Sequence, residues 1–229
     1  MTPSSDRKAP PFGNWLWVAA GVALVLSLTS WGEYVLYPFK LFTTWIHETS
    51  HAITALLVGG SVDSITIARN TSGLTRSLLP PSRIAQGLVS SAGYMGAAIA
   101  GCLLIASTRV SKRTRPILIV LGALMLLTAA IWIRNGFGFG VVLAWGIALV
   151  LLARYASSDV ARFVVSFLAV QVALNAVYDI RILFLIQGAP TDAASMASLF
   201  LLPAWFWAGL WMLLSLGLLA VTLRKTAVR

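Results

Sequence analysis

The stretch LFTTWIHETSHAITALLV, residues 41–58, combines an apolar run with two histidines that stand four residues apart. Four residues are just over one helical turn, so His47 and His51 are expected on one helix face, where both imidazoles can bind one metal ion. Glu48 follows the first histidine and can take a proton from a metal-bound water. The simpler alternative is a membrane helix that carries these polar residues by chance. Hydrocarbon penalises such residues, so we favour a metal-binding membrane helix.

The composition of the chain indicates a membrane protein that crosses the bilayer several times. Of 229 residues, 59% are hydrophobic and 10% are charged, and the mean hydropathy is +0.86. A soluble domain does not tolerate so apolar a composition. The net charge of +10 comes from cations in short loops and at the termini, where basic residues meet lipid headgroups. We therefore expect the lipid bilayer as a partner and no nucleic acid.

Seven apolar segments approach the roughly 20 residues that a bilayer requires. The predicted fold class is an all-α polytopic membrane protein with about six to seven transmembrane helices. The predicted domain organisation is a polar N-terminal tail (1–14), one transmembrane domain (15–223) and a basic C-terminal tail (224–229). The predicted spans are Trp15–Tyr37, Phe39–Val58, Ile84–Ser107, Pro116–Ile133, Phe137–Ala153, Phe163–Ile186 and Pro203–Leu223.

The connection from Gly59 to Ser82 is too polar to cross the membrane and has a partly alternating pattern. Asn70-Thr71-Ser72-Gly73 supplies turn residues in its middle, so the pattern predicts a short β-hairpin directly after the metal-binding helix. One alternative is an ordinary surface hairpin. The other is a strand edge beside an active site, where an unwound substrate segment can pair with it.

A catalytic zinc site usually has three protein ligands and one open position. Beyond the histidines, the third ligand must come from an acid or from Cys102. We set aside the acids of the N-terminal tail and of the predicted loops (Asp6, Asp63, Asp159 and Asp192). Glu33 and Asp179 remain, and Asp179 is the better candidate because a carboxylate deep in an apolar span needs a cation. Asn175, one turn earlier, is placed to orient Asp179, to contact substrate or to pack helices.

Several further segments of the chain accompany these motifs. They are His47–His51 with Ala52-Ile53 and Gly59-Gly60, Ser72-Gly73-Leu74-Thr75, Ala92-Gly93-Tyr94-Met95-Gly96, Asn175-Ala176-Val177-Tyr178-Asp179-Ile180, Thr191-Asp192-Ala193 and Pro203-Ala204-Trp205. Together they resemble site-2-protease-type intramembrane zinc metallopeptidases, most closely the compact M50B-like branch of bacteria and plants.

The resemblance implies Zn²⁺ bound by His47, His51 and Asp179, with Glu48 as the general acid and base. It implies cleavage of peptide bonds in membrane-embedded or membrane-proximal protein substrates, in a multi-pass protein of the bacterial cytoplasmic membrane. Tyr94 is expected to line the active site, in a polar cavity among the second, third and sixth spans. A non-proteolytic metal-binding carrier or sensor is the alternative function, and it would need the ligands but not Glu48.

Overall fold

The computed structural model describes residues 13–108, 114–185 and 190–227, which form eight helices and one β-hairpin. The elements in chain order are α1 (Gly13–Ser27), α2 (Gly32–Leu57), β1 (Ser61–Ile67), β2 (Gly73–Leu78), α3 (Arg83–Ser107), α4 (Thr114–Ile131), α5 (Gly136–Tyr155), α6 (Ser158–Leu183), α7 (Asp192–Leu199) and α8 (Ala204–Ala227).

The long helices confirm the predicted multi-pass membrane fold. Among the described residues, α3, α4, α5, α6 and α8 are each long and apolar enough to cross a bilayer. The helix α1 is shorter, and α2 carries the polar residues of the site. The short helix α7 follows α6 and corresponds to none of the seven predicted spans. A helical bundle with a hairpin after the histidine helix is therefore the architecture of the chain.

The predicted division between the first two spans at Pro38 is wrong. The helix α1 ends at Ser27, and α2 begins at Gly32 and continues through Pro38. A glycine is needed at position 32 because a Cβ there would overlap the carbonyl oxygen of Leu26. A proline inside a helix removes one backbone hydrogen bond, but the residues after it continue the helix here. The chain therefore turns between the two helices well before the proline.

The hairpin lies against the tip of the tight helical hairpin that α4 and α5 form. The strands β1 and β2 pair antiparallel, and Ile65 and Ile67 of β1 are fully buried. The amide of Ile65 donates to the Trp132 carbonyl at 2.7 Å, and the Arg134 amide donates to the Ile65 carbonyl at 3.1 Å. The Asn135 side chain exchanges two hydrogen bonds with the Ile67 backbone. These contacts occupy the outer edge of β1.

The helices α2 and α6, which correspond to the second and sixth predicted spans, pack against each other. The rings of Phe39 and Phe167 meet edge to face with centroids 4.8 Å apart. Further along, the Asn175 amide donates to the Thr43 hydroxyl at 3.4 Å. The helix α3 packs on both, and it approaches α6 closely at Gly101. The three helices thereby surround the histidine pair.

Candidate metal centre

The two histidines lie on one face of α2, as their spacing predicts. Their imidazole rings meet edge to face with centroids 4.7 Å apart. The Nε2 atoms of His47 and His51 are 3.0 Å apart. His51 is buried, and His47 is partly exposed to a cavity. The pair therefore presents two nitrogen atoms to the same small volume.

A backbone carbonyl of α3 fixes the tautomer of His51. Its Nδ1 lies 2.6 Å from the carbonyl oxygen of Val89. A carbonyl oxygen can only accept a hydrogen bond, so Nδ1 carries the proton and donates it. The lone pair of a neutral His51 is then on Nε2, which faces His47. Metal-binding histidines are usually oriented in this way by a hydrogen bond from their other nitrogen.

Asp192 supplies an oxygen atom to the same volume. Its Oδ2 is 3.2 Å from His47 Nε2 and 3.3 Å from His51 Nε2. Asp192 is the first residue of α7, and the side chain of Thr191 caps that helix by accepting from the Ala194 amide at 3.2 Å. The cap fixes where α7 begins. It therefore directs the Asp192 carboxylate towards the histidines.

The electrostatics of this group keep the Asp192 carboxyl ionised. Burial alone would raise its pKa, but in the metal-free site protonated His47 and His51 donate hydrogen bonds and carry positive charge, which outweigh burial and hold the pKa well below its usual range. The position at the start of α7 also favours an anion through the helix dipole. Asp192 is thus available as an anionic ligand at neutral pH.

The three side chains fit a tetrahedral metal ion. His47, His51 and Asp192 form the group with metal-ligand character among the described residues. The separations of 3.0–3.3 Å between their ligand atoms are close to the roughly 3.3–3.4 Å expected around a tetrahedral zinc with bonds of about 2.0–2.1 Å. On α3, a Cβ at Gly93 would overlap Nε2 of both histidines. A residue without a side chain therefore faces the volume where the ion would bind.

Glu48 is buried beside the histidines and is held by the hairpin. The hydroxyl of Thr75 on β2 lies 2.7 Å from Glu48 Oε2 and 2.9 Å from the Glu48 carbonyl oxygen. The single proton of this hydroxyl is donated to these two acceptors. At the start of β2, a Cβ at Gly73 would overlap the Glu48 carboxyl group. The hairpin therefore limits the positions that this carboxylate can take.

A cavity of about 680 Å³ opens beside the histidines, Glu48 and Asp192. Its walls come from α2, α3 and α6, as expected, and also from the hairpin and α7. Thr44 and Thr71 join two of these walls, because the Thr44 hydroxyl donates to the Thr71 carbonyl at 2.7 Å. The histidines, Glu48 and Asp192 therefore line one shared cavity.

The family model Peptidase M50B-like matches residues 17–222, which is most of the chain. The chain belongs to the Peptidase M50B-like family. No curated protein and no solved structure matches it significantly. Membership identifies an intramembrane metallopeptidase, and the five apolar helices agree with a multi-pass membrane protein.

The other predicted site residues of this M50B-like chain lie in or near the same cavity. Asp179 and Asn175 line it from α6, and Tyr94 lines it from α3. The Asn175 amide packs against Thr43, which agrees with a helix-packing role. Asp179 is not part of the group that the histidines form with Asp192. Glu33 is exposed in the first turn of α2, about 20 Å along the helix from His47.

Asp192, which lies with the two histidines in this structure, is one of the acids that the sequence analysis sets aside. It was excluded as a loop residue because the elimination weighed only the cost of a carboxylate in hydrocarbon. A short helix outside the spans can also bring a ligand to the site. The signal was present in the sequence, because Thr191 is a favoured N-cap residue and Asp192 follows it directly.

Proposed function

We propose that the chain is a zinc metalloendopeptidase of the site-2-protease type that hydrolyses peptide bonds in or near the membrane. The observation that carries this proposal is the convergence of His47, His51 and Asp192 beside the buried carboxylate of Glu48. Two imidazoles and one carboxylate are a ligand set found in catalytic zinc sites, where a fourth position stays open.

We further propose that Asp192 is the third zinc ligand. Its oxygen lies within 3.3 Å of both imidazole nitrogens, which supports this assignment. Asp179, the ligand that the resemblance implies, remains a competing prediction because it lines the same cavity. The two acids can be separated by their effect on zinc affinity.

In the proposed mechanism Glu48 moves the proton. Zinc, when bound, makes water more acidic and polarises the carbonyl group of the peptide bond. Glu48 accepts a proton from the attacking water and then gives it to the leaving amine nitrogen. Thr75 and Gly73 restrict the Glu48 carboxylate to a position near the histidines, so little reorientation is needed for either transfer.

The hairpin supplies a place for an extended substrate. The outer edge of β1 is occupied by the α4–α5 tip, whereas β2 has no further strand beside it among the described residues. Residues 70–75 of the hairpin line the cavity. A substrate helix must unwind before hydrolysis, since its peptide bonds are shielded by its own backbone, and an unwound segment can add to a free strand edge.

The proposed partners are therefore membrane-embedded or membrane-proximal proteins, with the bilayer as the surroundings. The resemblance to the bacterial and plant branch supports a place in the bacterial cytoplasmic membrane. Nucleic acid is not an expected partner, because most cations of the chain lie in loops, near helix ends or in the terminal segments.

The test compares the wild type with Glu48→Gln in detergent micelles or liposomes. Fluorescence-quenched peptides of extended apolar sequence serve as the substrate, and bound zinc is measured on the same samples. We expect the wild type to cleave, and the variant to bind zinc equally but to lose cleavage by at least about 10²-fold. Cleavage by Glu48→Gln at the wild-type rate would contradict the proposal. A carrier or sensor would instead be favoured if the zinc-loaded wild type cleaves no peptide and the function of the protein survives Glu48→Gln.

A further inference from the structure

Tyr94 is held on α3 between a histidine of the metal group and an aromatic residue of α8. Its ring meets the His47 ring edge-on, with centroids 4.7 Å apart and an interplanar angle of 86°. The other contact is a stack on Trp211, with centroids 5.1 Å apart and an angle of 18°. Trp211 is itself buried. The two contacts fix the phenol ring relative to His47.

The Tyr94 side chain offers a hydrogen-bond donor that no described residue uses. Tyr94 lines the cavity, and Glu48, Asp179 and Asp192 all act electrostatically on its hydroxyl. Within the described part of the chain, the hydroxyl makes no hydrogen bond, whereas Thr75 is engaged with Glu48. A tyrosine hydroxyl carries its proton at neutral pH and can donate it.

We propose that Tyr94 is a catalytic residue whose hydroxyl donates a hydrogen bond to the oxygen of the scissile carbonyl. The inference rests on the proposed peptidase function and assigns a new role within it. Negative charge develops on that oxygen in the transition state, and a donor already fixed in the site stabilises it with little reorganisation. The fixed ring supplies such a donor beside His47.

In the proposed hydrolysis, Glu48 carries one proton from water to the leaving nitrogen. Water adds to the carbonyl carbon, the π electrons of the C=O bond move to the oxygen, and Glu48 takes one proton from the water. An electron pair of that oxygen then re-forms the C=O bond as the C–N bond breaks. The electron pair of the C–N bond goes to nitrogen, and Glu48 returns the proton to that nitrogen. Tyr94 keeps its own proton throughout and contributes only the hydrogen bond.

Lys40 and Asn175 are two other polar side chains of the cavity, and both are less suited to this role. Lys40 lines the cavity, but it precedes His47 by seven residues, which is about 10 Å along α2. Asn175 directs its amide to Thr43 on the neighbouring helix. Tyr94 combines contact with a histidine of the metal group and an unused donor.

The experiment uses Tyr94→Phe, which removes the hydroxyl and keeps the ring contacts with His47 and Trp211. Tyr155→Phe is the matched control, because Tyr155 is an exposed tyrosine at the end of α5. For each protein, zinc affinity, kcat and KM on the quenched peptides, and the affinity of a phosphinic peptide are measured. A phosphinic group mimics the tetrahedral transition state and reports the hydrogen bond without turnover.

We expect Tyr94→Phe to keep zinc affinity and KM while kcat falls about 10²–10³-fold, and the phosphinic peptide to bind correspondingly more weakly. Tyr155→Phe should match the wild type in every measurement. An unchanged kcat and unchanged phosphinic affinity in Tyr94→Phe, with an active wild type, would overturn the Tyr94 role alone. If the wild type is inactive, the peptidase proposal has failed, and the phosphinic affinity still decides whether Tyr94 donates. Tyr94→Leu removes the ring together with the hydroxyl. If Tyr94 acts only by packing against His47, this variant should lower zinc affinity.

Discussion

Gly93 offers the sharpest test of the metal position, because its α carbon faces both histidines. A Cβ at residue 93 would overlap Nε2 of His47 and Nε2 of His51. It would be closer to each nitrogen, by roughly half an ångström or more, than real Cβ atoms come to other heavy atoms. Metal–ligand distances tolerate only about 0.2 Å. Gly93→Ala therefore requires the imidazoles or α3 to shift, and the added methyl group occupies the volume beside Nε2 of both histidines.

We expect Gly93→Ala to lower zinc affinity at least about 100-fold, which corresponds to roughly 2.8 kcal/mol. Alanine is favoured over glycine within a helix by about 1 kcal/mol, so the loss would not come from a weaker α3. Gly96→Ala is the matched control, since its Cβ would press on the Ser50 side chain of α2 and not on a ligand.

The assay is competition for zinc between the detergent-purified protein and a chromogenic chelator, with helix content followed by circular dichroism. Gly96→Ala should lose far less zinc affinity than Gly93→Ala at similar helix content. Wild-type zinc affinity in Gly93→Ala would refute the position that we assign to the ion.

Three further predictions concern the ligands, the base and the metal itself. In the same zinc competition, Asp192→Asn should reduce zinc affinity by more than about 100-fold and Asp179→Asn by much less. A larger loss of zinc affinity in Asp179→Asn would identify Asp179 as the ligand. Thr75→Val should keep zinc but slow peptide cleavage about 10–100-fold, because the Glu48 carboxylate loses its hydrogen bond to Thr75. Ser77→Ala on the same strand should leave the cleavage rate unchanged. Equal cleavage rates in the two variants would show that Thr75 does not position Glu48. Chelation should abolish cleavage and added Zn²⁺ should restore it; activity that persists in zinc-depleted protein would exclude a zinc peptidase.

The sequence predicted the helical membrane fold because apolar segments of membrane length have few alternatives in a bilayer. It also placed the hairpin correctly, since turn residues around Asn70 separate two short alternating runs. The first helix boundary could not be predicted from Pro38, because a proline interrupts one hydrogen bond and does not by itself end a helix. The actual boundary depends on a close backbone contact between Gly32 and Leu26.

The site was predictable where it depends on local spacing. His47, Glu48 and His51 share one helical turn, so their relation follows from helix geometry alone. Asp192 comes from a helix 141 residues beyond His51, and only tertiary packing brings the two together. Elimination leaves Glu33 and Asp179 for that place, and Asp179 is preferred for the cost of a carboxylate in an apolar span, which carries no information on its distance from the histidines.

The central claim is that one zinc ion is bound by His47, His51 and Asp192. It is tested most directly by a crystal structure of the zinc-loaded protein with diffraction data collected on both sides of the zinc absorption edge. The account predicts one anomalous peak about 2.0–2.2 Å from Nε2 of both histidines and from a carboxylate oxygen of Asp192. A peak coordinated by Asp179 in place of Asp192, or no peak at the histidines, would contradict it.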